Sequence, residues 1–468
     1  MEQVLILGGG PTGLGAARQL NQLGHADWMM LDSGPAAGGL SMSYVDDCRF
    51  TWDIGGHVQF SHYEYFDQAM EEFLGKDGWL SHERESWVWM RDRFVPYPFQ
   101  YNVHRLPAED LDRCLAGLVD AGHKAPGKPS NFREWILATF GQGIADVFML
   151  PYNFKVWAYP AEKMNTAWVG ERVAVPDLKR VLHNLVHRKD ELSWGPNNLF
   201  SFPLRGGTGA IWKACADRLP QDKLRFNAKI VAIDLERREV KTSSGEMYSY
   251  DKLISTIPLT ELVRLSGKIE YQELANKSLL YSASNIFGLG LKGAPPEELK
   301  KKCWMYFPED NCPFYRVTVF SNYSPYNVPD IHTQWSLMLE VAESTAKPVD
   351  QARIMEDVIQ GALNTKLIES REQLVSQWSH RAAFGYPTPG IDRDRALAEI
   401  IPAFEKYDVY SRGRFGMWKY EVSNQDHSFM QGVEVVERLI NGRKEITAFD
   451  ANRANSKKHA WPFEEWLA

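Results

Sequence analysis

Apolar and polar positions divide the chain into three textures. Val4 to Leu7 is an unbroken apolar run that ends at glycines, the pattern of a strand buried on both faces. Leu14 to Leu23 spaces its apolar side chains as a helix does, and Trp28 to Leu31 is a second short run that stops at Asp32. Strand, helix, strand is the predicted order. From about residue 62 to 199 the pattern reads as mainly helical. Leu111, Cys114, Leu115, Leu118 and Val119 recur at the spacing of one helix face, and Leu178, Leu182 and Leu185 repeat it more weakly.

Past Arg205 the runs become short and alternating. "KIVAIDLERREVKTSSGEMYSYDKLISTIP" predicts a small meander and a return strand. "NIFGLGLKG", "CWMYFPE", "FYRVTVFSNYS" and "QWSLMLEVAES" follow with turn residues between them, which predicts an antiparallel sheet. A last helix over about 427 to 440 carries Phe429, Met430, Val433, Val436, Leu439 and Ile440 on one face, with Asp426 as N-cap and Gly442 as its stop. Repeats and low-complexity tracts are absent from the sequence.

At 468 residues the chain is long enough for two or three domains. Its 53 Lys and Arg against 60 Asp and Glu leave a net charge of −7. That balance argues against nucleic-acid and membrane-surface binding, so any anion site must concentrate positive charge locally. No stretch approaches the roughly 20 apolar residues of a membrane span, and the amino terminus runs straight into a strand, so a cytoplasmic location is expected. The five cysteines are odd in number and form no CxxC, which points to neither a disulfide framework nor a metal site. A homo-oligomer is left open.

"VLILGGGPTGLG" sets Gly8, Gly10 and Gly13 in GxGxxG spacing, with Pro11 and Thr12 between, directly after a strand and opening a helix. The first glycine permits a tight turn, the second lets a pyrophosphate approach the backbone, and the third lets helix pack on strand. Asp32, about 20 residues on, is placed to bind a ribose hydroxyl, with Ser33 beside it. The fingerprint alone leaves NAD and FAD open. "DSGPAAGGLSMSY", with Gly39 and Leu40, favours an extended FAD, whereas "RGGTGAIW" reads equally as a second nucleotide contact or a packing turn. In "DIGGHVQFSHYEYF", Gly55 and Gly56 allow backbone to lie against a ring that His57 can hydrogen-bond.

These blocks, with "VPYPFQ", "PYNFKVWA", "WGPN", "CWMYFPEDNCPFYRVTVFSNYSPYN", "GYPTP" and "SRGRFGMWKYEVSNQDHSF", resemble the eukaryotic-type UDP-galactopyranose mutases, in order from Val4 to about Ile440. The resemblance implies an FAD enzyme, active when reduced, with NADPH or NADH as reductant and a UDP-sugar as substrate. It implies that N5 of the flavin attacks the anomeric carbon while UDP leaves, without net redox, and that galactose interconverts between pyranose and furanose rings. A flavin oxidase or desaturase of the same fold, or a mutase acting on another UDP-hexose, is the alternative.

By resemblance His57, Arg316 and Arg414 are catalytic, the two arginines binding diphosphate, and Arg172 and Asn197 lie on substrate flaps. Tyr97 and Phe99 flank the uracil, Gln100 reads its edge, and Asn153, Trp157 and Trp304 line the ligand. Tyr306, Tyr323, Tyr386 and Tyr420 bind diphosphate oxygens, and Asn424, Gln425 and Ser428 approach the cofactor. Strand parity puts Tyr323 out of phase with Arg316, so their strand must twist, bulge or end between them. Gln59 departs from the family, adding an amide expected beside the sugar pocket.

The expected fold class is α/β: a Rossmann-like FAD-binding domain (1–62, 200–280 and 395–468), an inserted, mainly helical domain with flaps (63–199), and an antiparallel sheet substrate domain (281–394).

Overall fold

The computed structural model describes residues 2–123, 127–192, 195 and 198–466. Val4–Leu7 is the middle strand of a five-stranded parallel sheet, flanked by Trp28–Leu31 on one side and Lys252–Ser255 on the other. Leu224–Arg225 and Val409–Ser411 complete its edges. Strands distant in sequence therefore meet in one sheet, whose central strand is buried throughout.

Helix Pro11–Gln22 follows the first strand and crosses helix Gln425–Asn441 at close range. Two glycines set that approach: a Cβ on Gly15 would lie 2.3 Å from the Phe429 carbonyl oxygen, and one on Gly432 would lie 1.9 Å from that of Thr12. The later helix is buried around its whole girth from Asp426 to Glu437 rather than on one face, because the segment after Gly442 packs over its other side. Gly442 adopts φ 68° as its stop, but Asp426 is not the N-cap. That position belongs to Asn424, while Asp426 turns inward and accepts from the backbone N–H and Nδ1 of His62 at 3.0 and 2.8 Å.

A seven-stranded sheet forms the second layer, in the order Leu374–Pro387, Tyr281–Lys292, Gln334–Glu343, Arg316–Val319, Trp304–Tyr306, Ser86–Met90, Arg93–Pro96. All its pairings are antiparallel except the one between Trp304–Tyr306 and Ser86–Met90. The predicted meander stands apart as Ile230–Asp234, Glu239–Thr242 and Met247–Ser249, and Lys252–Ser255 returns to the parallel sheet.

Helices Ala108–His123, Phe132–Ile144, Leu150–Trp157 and Leu178–His187 cover one end. The helical reading of residues 62 to 199 missed the strands Trp79–Glu83, Ser86–Met90 and Arg93–Pro96. Each has five residues or fewer and pairs with distant chain or a tight hairpin, so no helical window registers it. In Leu178–His187 the buried positions are Val181 and Asn184, and Leu182 is exposed.

Candidate active site

One cavity of about 610 Å³ runs from the glycine turn after the first strand to the face of the seven-stranded sheet. At its first end Gly8 takes φ 102°, and a Cβ there would strike Thr256 Oγ1 at 2.2 Å. A Cβ on Gly13 would lie 1.8 Å from the Gly8 carbonyl oxygen, so Gly13 serves helix packing and is not on the wall. Gly10, Pro11 and Thr12 are on the wall, where the first turn of a helix offers N–H groups without helical partners. Gly39 and Leu40 face them.

Asp32 reaches the wall with both oxygens already occupied: the N–H groups of Gly9 and Gly34 donate to it, each at 2.6 Å. Ser33 is exposed and off the wall. "RGGTGAIW" resolves as a packing turn, because Gly207 sits where a Cβ would meet Asp53 Oδ1 at 2.4 Å and Ser43 Oγ at 2.5 Å.

The far end is built on strand alternation. Trp304 and Tyr306 face the cavity while Met305 faces the core, and Arg316 and Glu340 face the cavity while Val317, Leu339 and Val341 face the core. Tyr306, Arg316 and Glu340 lie side by side across three strands. Arg316 donates to Glu340 through Nε at 2.7 Å and Nη2 at 2.8 Å. Glu340 also accepts from Tyr315 at 2.7 Å and from the Gly56 N–H at 3.1 Å. Burial pushes the Glu340 carboxyl upward, but the Arg316 charge and these bonds outweigh it and hold it below the usual carboxylate range.

Arg414 has no such counter-ion among the described residues. It donates to the Gly385 carbonyl at 3.0 and 3.2 Å and to Ser423, at 2.8 Å for the hydroxyl and 3.2 Å for the carbonyl. Arg172 likewise donates only to the Glu421 carbonyl at 3.0 Å and Asn424 Oδ1 at 3.5 Å, and lies 4.7 Å from the Tyr420 ring centre. Tyr386 stands between cations, its hydroxyl 3.5 Å from Arg316 Nη2 and its ring 4.9 Å from the Arg414 guanidinium. Arg84, Arg172, Arg316 and Arg414 thus share one wall, and of the last three only Arg316 has a carboxylate partner among the described residues. In a chain of net charge −7 this is a local concentration of positive charge.

His57 lies between the two ends. Its Nδ1 is buried without a partner among the described residues, and burial, then Arg414 and more weakly Arg316, hold its pKa down to about 4 against the opposing pull of Glu340. The imidazole is neutral near pH 7. Gly55 and Gly56 press against Glu340 and Trp304: a Cβ on Gly56 would lie 2.8 Å from Trp304 Nε1.

The flavin containing amine oxidoreductase family matches residues 11–402. A crystal structure of a reduced UDP-galactopyranose mutase is 49% identical, with a TM-score of 0.95, over 98% of this chain and 98% of that one. This chain belongs to the UDP-galactopyranose mutase family. A CLA-producing fatty acid isomerase from P. acnes (TM-score 0.64) and a putrescine oxidase bound to putrescine (0.61) are each 14% identical over 94% of this chain and 99% of theirs, and share the fold alone.

Membership makes the chain a flavoprotein, and FAD fits the cleft. The glycine turn leaves backbone room and free N–H groups for a pyrophosphate, and the wall continues without a break past Gly55 and Gly56 to Asn424, Gln425 and Ser428. Those last three come from more than 400 residues' distance in sequence because their helix packs on helix Pro11–Gln22.

Tyr97, Tyr306, Tyr386 and Tyr420 reach the cavity wall, as does Trp304. Burial raises the phenols of Tyr97, Tyr306 and Tyr386, so all three stay protonated and act as donors. Several other residues expected in the mutase site do not reach the wall. Phe99 stacks on Phe148 at 4.6 Å, Gln100 donates to the Ala174 carbonyl, and Asn153 donates to the Met149 carbonyl at 2.7 Å. Trp157 packs edge-on behind Tyr420 at 4.8 Å and supports it.

Tyr323 is also off the wall. The strand ends at Val319 and a turn over Phe320–Asn322 follows, which carries its ring into a cluster with Phe200, Phe202 and Phe320. Gln59 points away from the cavity, buried, with both amide atoms unpartnered. Asn197 lies outside the described residues.

Sequence reasoning missed Arg84 and Glu340, both on the wall. Glu340 had a signal, a carboxylate in an apolar strand of the sheet that carries Arg316. Arg84, in the polar run "SHERESW", had none.

Proposed function

We propose that this chain interconverts UDP-galactopyranose and UDP-galactofuranose without net redox, with FAD in the cleft kept reduced by NADPH or NADH. The observation that carries the reading is the arginine wall. Arg316, Arg414 and Arg172, with Glu340 their one carboxylate partner among the described residues, make a site that a diphosphate completes. A buried cation without a counter-ion is costly, so such a wall is built for an anion that arrives. The identity of 49% to a UDP-galactopyranose mutase supports UDP as that anion.

FAD, when bound and reduced, would supply the nucleophile for the anomeric carbon through its N5. The chain's own residues handle the charge and the geometry. Negative charge grows on the diphosphate as the glycosidic bond breaks, and the guanidiniums of Arg316 and Arg414 lie fixed to receive it. Glu340 occupies Nε and one N–H of Nη2 of Arg316, so Nη1 and the second Nη2 N–H, beside the Tyr386 hydroxyl, are the edge left for phosphate oxygen. Tyr306, Tyr386 and Tyr420 donate hydroxyl protons to the same oxygens. His57, neutral and with a bare Nδ1, presents a hydrogen-bond acceptor to the sugar or the flavin edge without adding charge. Arg172, beside Asn424 and over Tyr420, closes the site from the helical side.

An oxidase or desaturase has no use for this cation cluster. Gln59, the one departure from the family noted beside the expected sugar pocket, is not on the cavity wall, which supports the galactose reading. The test is turnover of a panel of UDP-hexoses by enzyme held reduced with dithionite and by the same enzyme held oxidised. Interconversion of the galactose pair only in the reduced form is expected. Equal rates in both redox states, or preference for another hexose, would refute the reading.

A further inference from the structure

Between the cavity and an open surface cleft at the edge strand Leu374–Pro387 of the seven-stranded sheet, aromatic rings follow one another without a break along the cavity face of that sheet. Trp304 lies on the cavity wall, and Phe200 stacks on it with centroids 6.5 Å apart and planes 11° apart. Phe200 meets Tyr323 at 5.3 Å, and Tyr323 meets Phe320 at 5.8 Å. Phe320 stacks on Trp52 at 6.4 Å and 16°, and Trp52 stacks on Trp378 at 6.1 Å and 12°. Trp378 lines the cleft together with Asp46, Asp47 and Cys48, and Tyr44 flanks it at 5.7 Å.

We propose that these rings carry single electrons from the cleft at Trp378 to the flavin cavity at Trp304. The proposal rests on the flavin site described above and not on the substrate.

Core packing accounts for buried rings in contact, but not for the opposite charges at the two ends of this row. The guanidiniums of Arg84 and Arg316 lie 5.3 and 5.5 Å from the centre of the Trp304 ring. A positive charge on that indole is therefore disfavoured, with Glu340 offsetting part of the Arg316 charge. Near the surface end, Trp52 Nε1 donates to the Asp46 carboxylate at 2.8 Å, which favours positive charge on its indole. Away from water both effects are strong. An electron vacancy formed at Trp304 is driven outward to Trp52 and Trp378, which is the same as driving an electron inward. Tyr323, whose hydroxyl has no partner among the described residues to take its proton, serves with the two phenylalanines as a bridge rather than as a stop.

The step is driven by light: oxidised flavin excited by blue light is the one-electron oxidant of Trp304, and a one-electron donor of the thiol or ascorbate class at the cleft refills the row. The donor loses one electron and its proton goes to solvent, the bound flavin gains one electron, and every ring ends as it began. No bond in the protein forms or breaks.

The test uses holoenzyme with oxidised flavin, free of oxygen, excited by a blue flash and followed by transient absorption of indole radicals. Wild-type protein is expected to give a long-lived indole radical, and a thiol is expected to quench it and leave the flavin reduced. Trp52→Phe and Trp378→Phe keep a stacked ring but remove an oxidisable one, and each is expected to lose the long-lived signal. Asp46→Asn is expected to shorten its lifetime. Flavin content from visible absorbance, and turnover of dithionite-reduced Trp378→Phe, are expected at the wild-type level, which separates a broken path from a broken cofactor site. A wild-type flash that leaves no persistent radical, or Trp52→Phe and Trp378→Phe proteins with wild-type lifetimes, would overturn the path. Loss of mutase turnover in reduced wild-type protein with the radical pattern intact would sink the activity reading alone.

Discussion

Arg316 and Arg414 do the same work for a diphosphate but stand on different footings in the fold, and that difference is measurable. Arg316→Ala strips a buried carboxylate, 2% exposed, of both its guanidinium bonds. Removing one partner of a buried ion pair costs about 3–5 kcal/mol, because the remaining charge is left without compensation. Arg414→Ala breaks bonds only to neutral acceptors, Gly385 and Ser423. Each such bond is charge-assisted and worth about 1.5–3 kcal/mol net, but its loss is offset by relief of a guanidinium whose charged form burial already disfavours. Arg414→Ala should therefore hold wild-type stability to within about 1 kcal/mol.

Both variants should weaken UDP binding by about 1.5–3 kcal/mol, the worth of a charged hydrogen bond, or roughly 10- to 150-fold in Kd. Urea denaturation of the FAD-loaded, substrate-free proteins reads the first quantity, and titration calorimetry with UDP reads the second. Arg316→Lys serves where the alanine variant unfolds, since it keeps the charge and loses the paired geometry. Equal destabilisation by the two alanine variants, or wild-type UDP affinity in Arg414→Ala, would refute the reasoning.

Two further outcomes concern titration. Burial raises the Glu434 carboxyl from 4.5 to about 7, while the N–H groups of Ile446 and Thr447 bind it at 2.6 and 2.9 Å. The fold holds that proton more tightly than the unfolded chain does, so the contribution is full below about pH 4.5 and lost as pH rises through about 7. Relative to Glu434→Gln, wild-type stability should fall by about 3 kcal/mol across that window in denaturant titrations, and parallel pH curves would contradict this. His57, held down to about 4, should stay neutral from pH 8 to roughly 5 in nitrogen-15 spectra of the substrate-free enzyme, and a midpoint at the ordinary histidine value of about 6.5 would refute it. Added UDP should move that midpoint upward, since diphosphate offsets Arg414, the largest charge acting on the ring.

Much of the fold can be read along the chain because it is encoded by short-range pattern. The strand Val4–Leu7, the glycine turn and the helix after it occupy one continuous stretch, and each glycine answers a steric demand that spacing alone displays. Alternation likewise placed Trp304 with Tyr306, and parity asked for a twist, bulge or end before Tyr323 if that ring was to share a ligand with Arg316; the strand does end at Val319, but the ring leaves the cavity. Parity could not say where the freed tyrosine would go. The turn over Phe320–Asn322 aims it into a ring cluster gathered from residues 200, 202 and 320.

What the sequence determined was therefore local: where strands and helices run, which side chains share a face, and that a nucleotide turn is present. What only the tertiary structure decided was which charges meet. Arg316 and Arg414 look alike in sequence, each an arginine in a promising motif, yet sheet pairing gives one of them Glu340 and loop packing gives the other only carbonyls and a hydroxyl. Burial and pairing depend on neighbours brought from far along the chain, and electrostatic energy depends on those neighbours steeply, so the net positive wall exists only once the two sheets and the helical layer have closed around it.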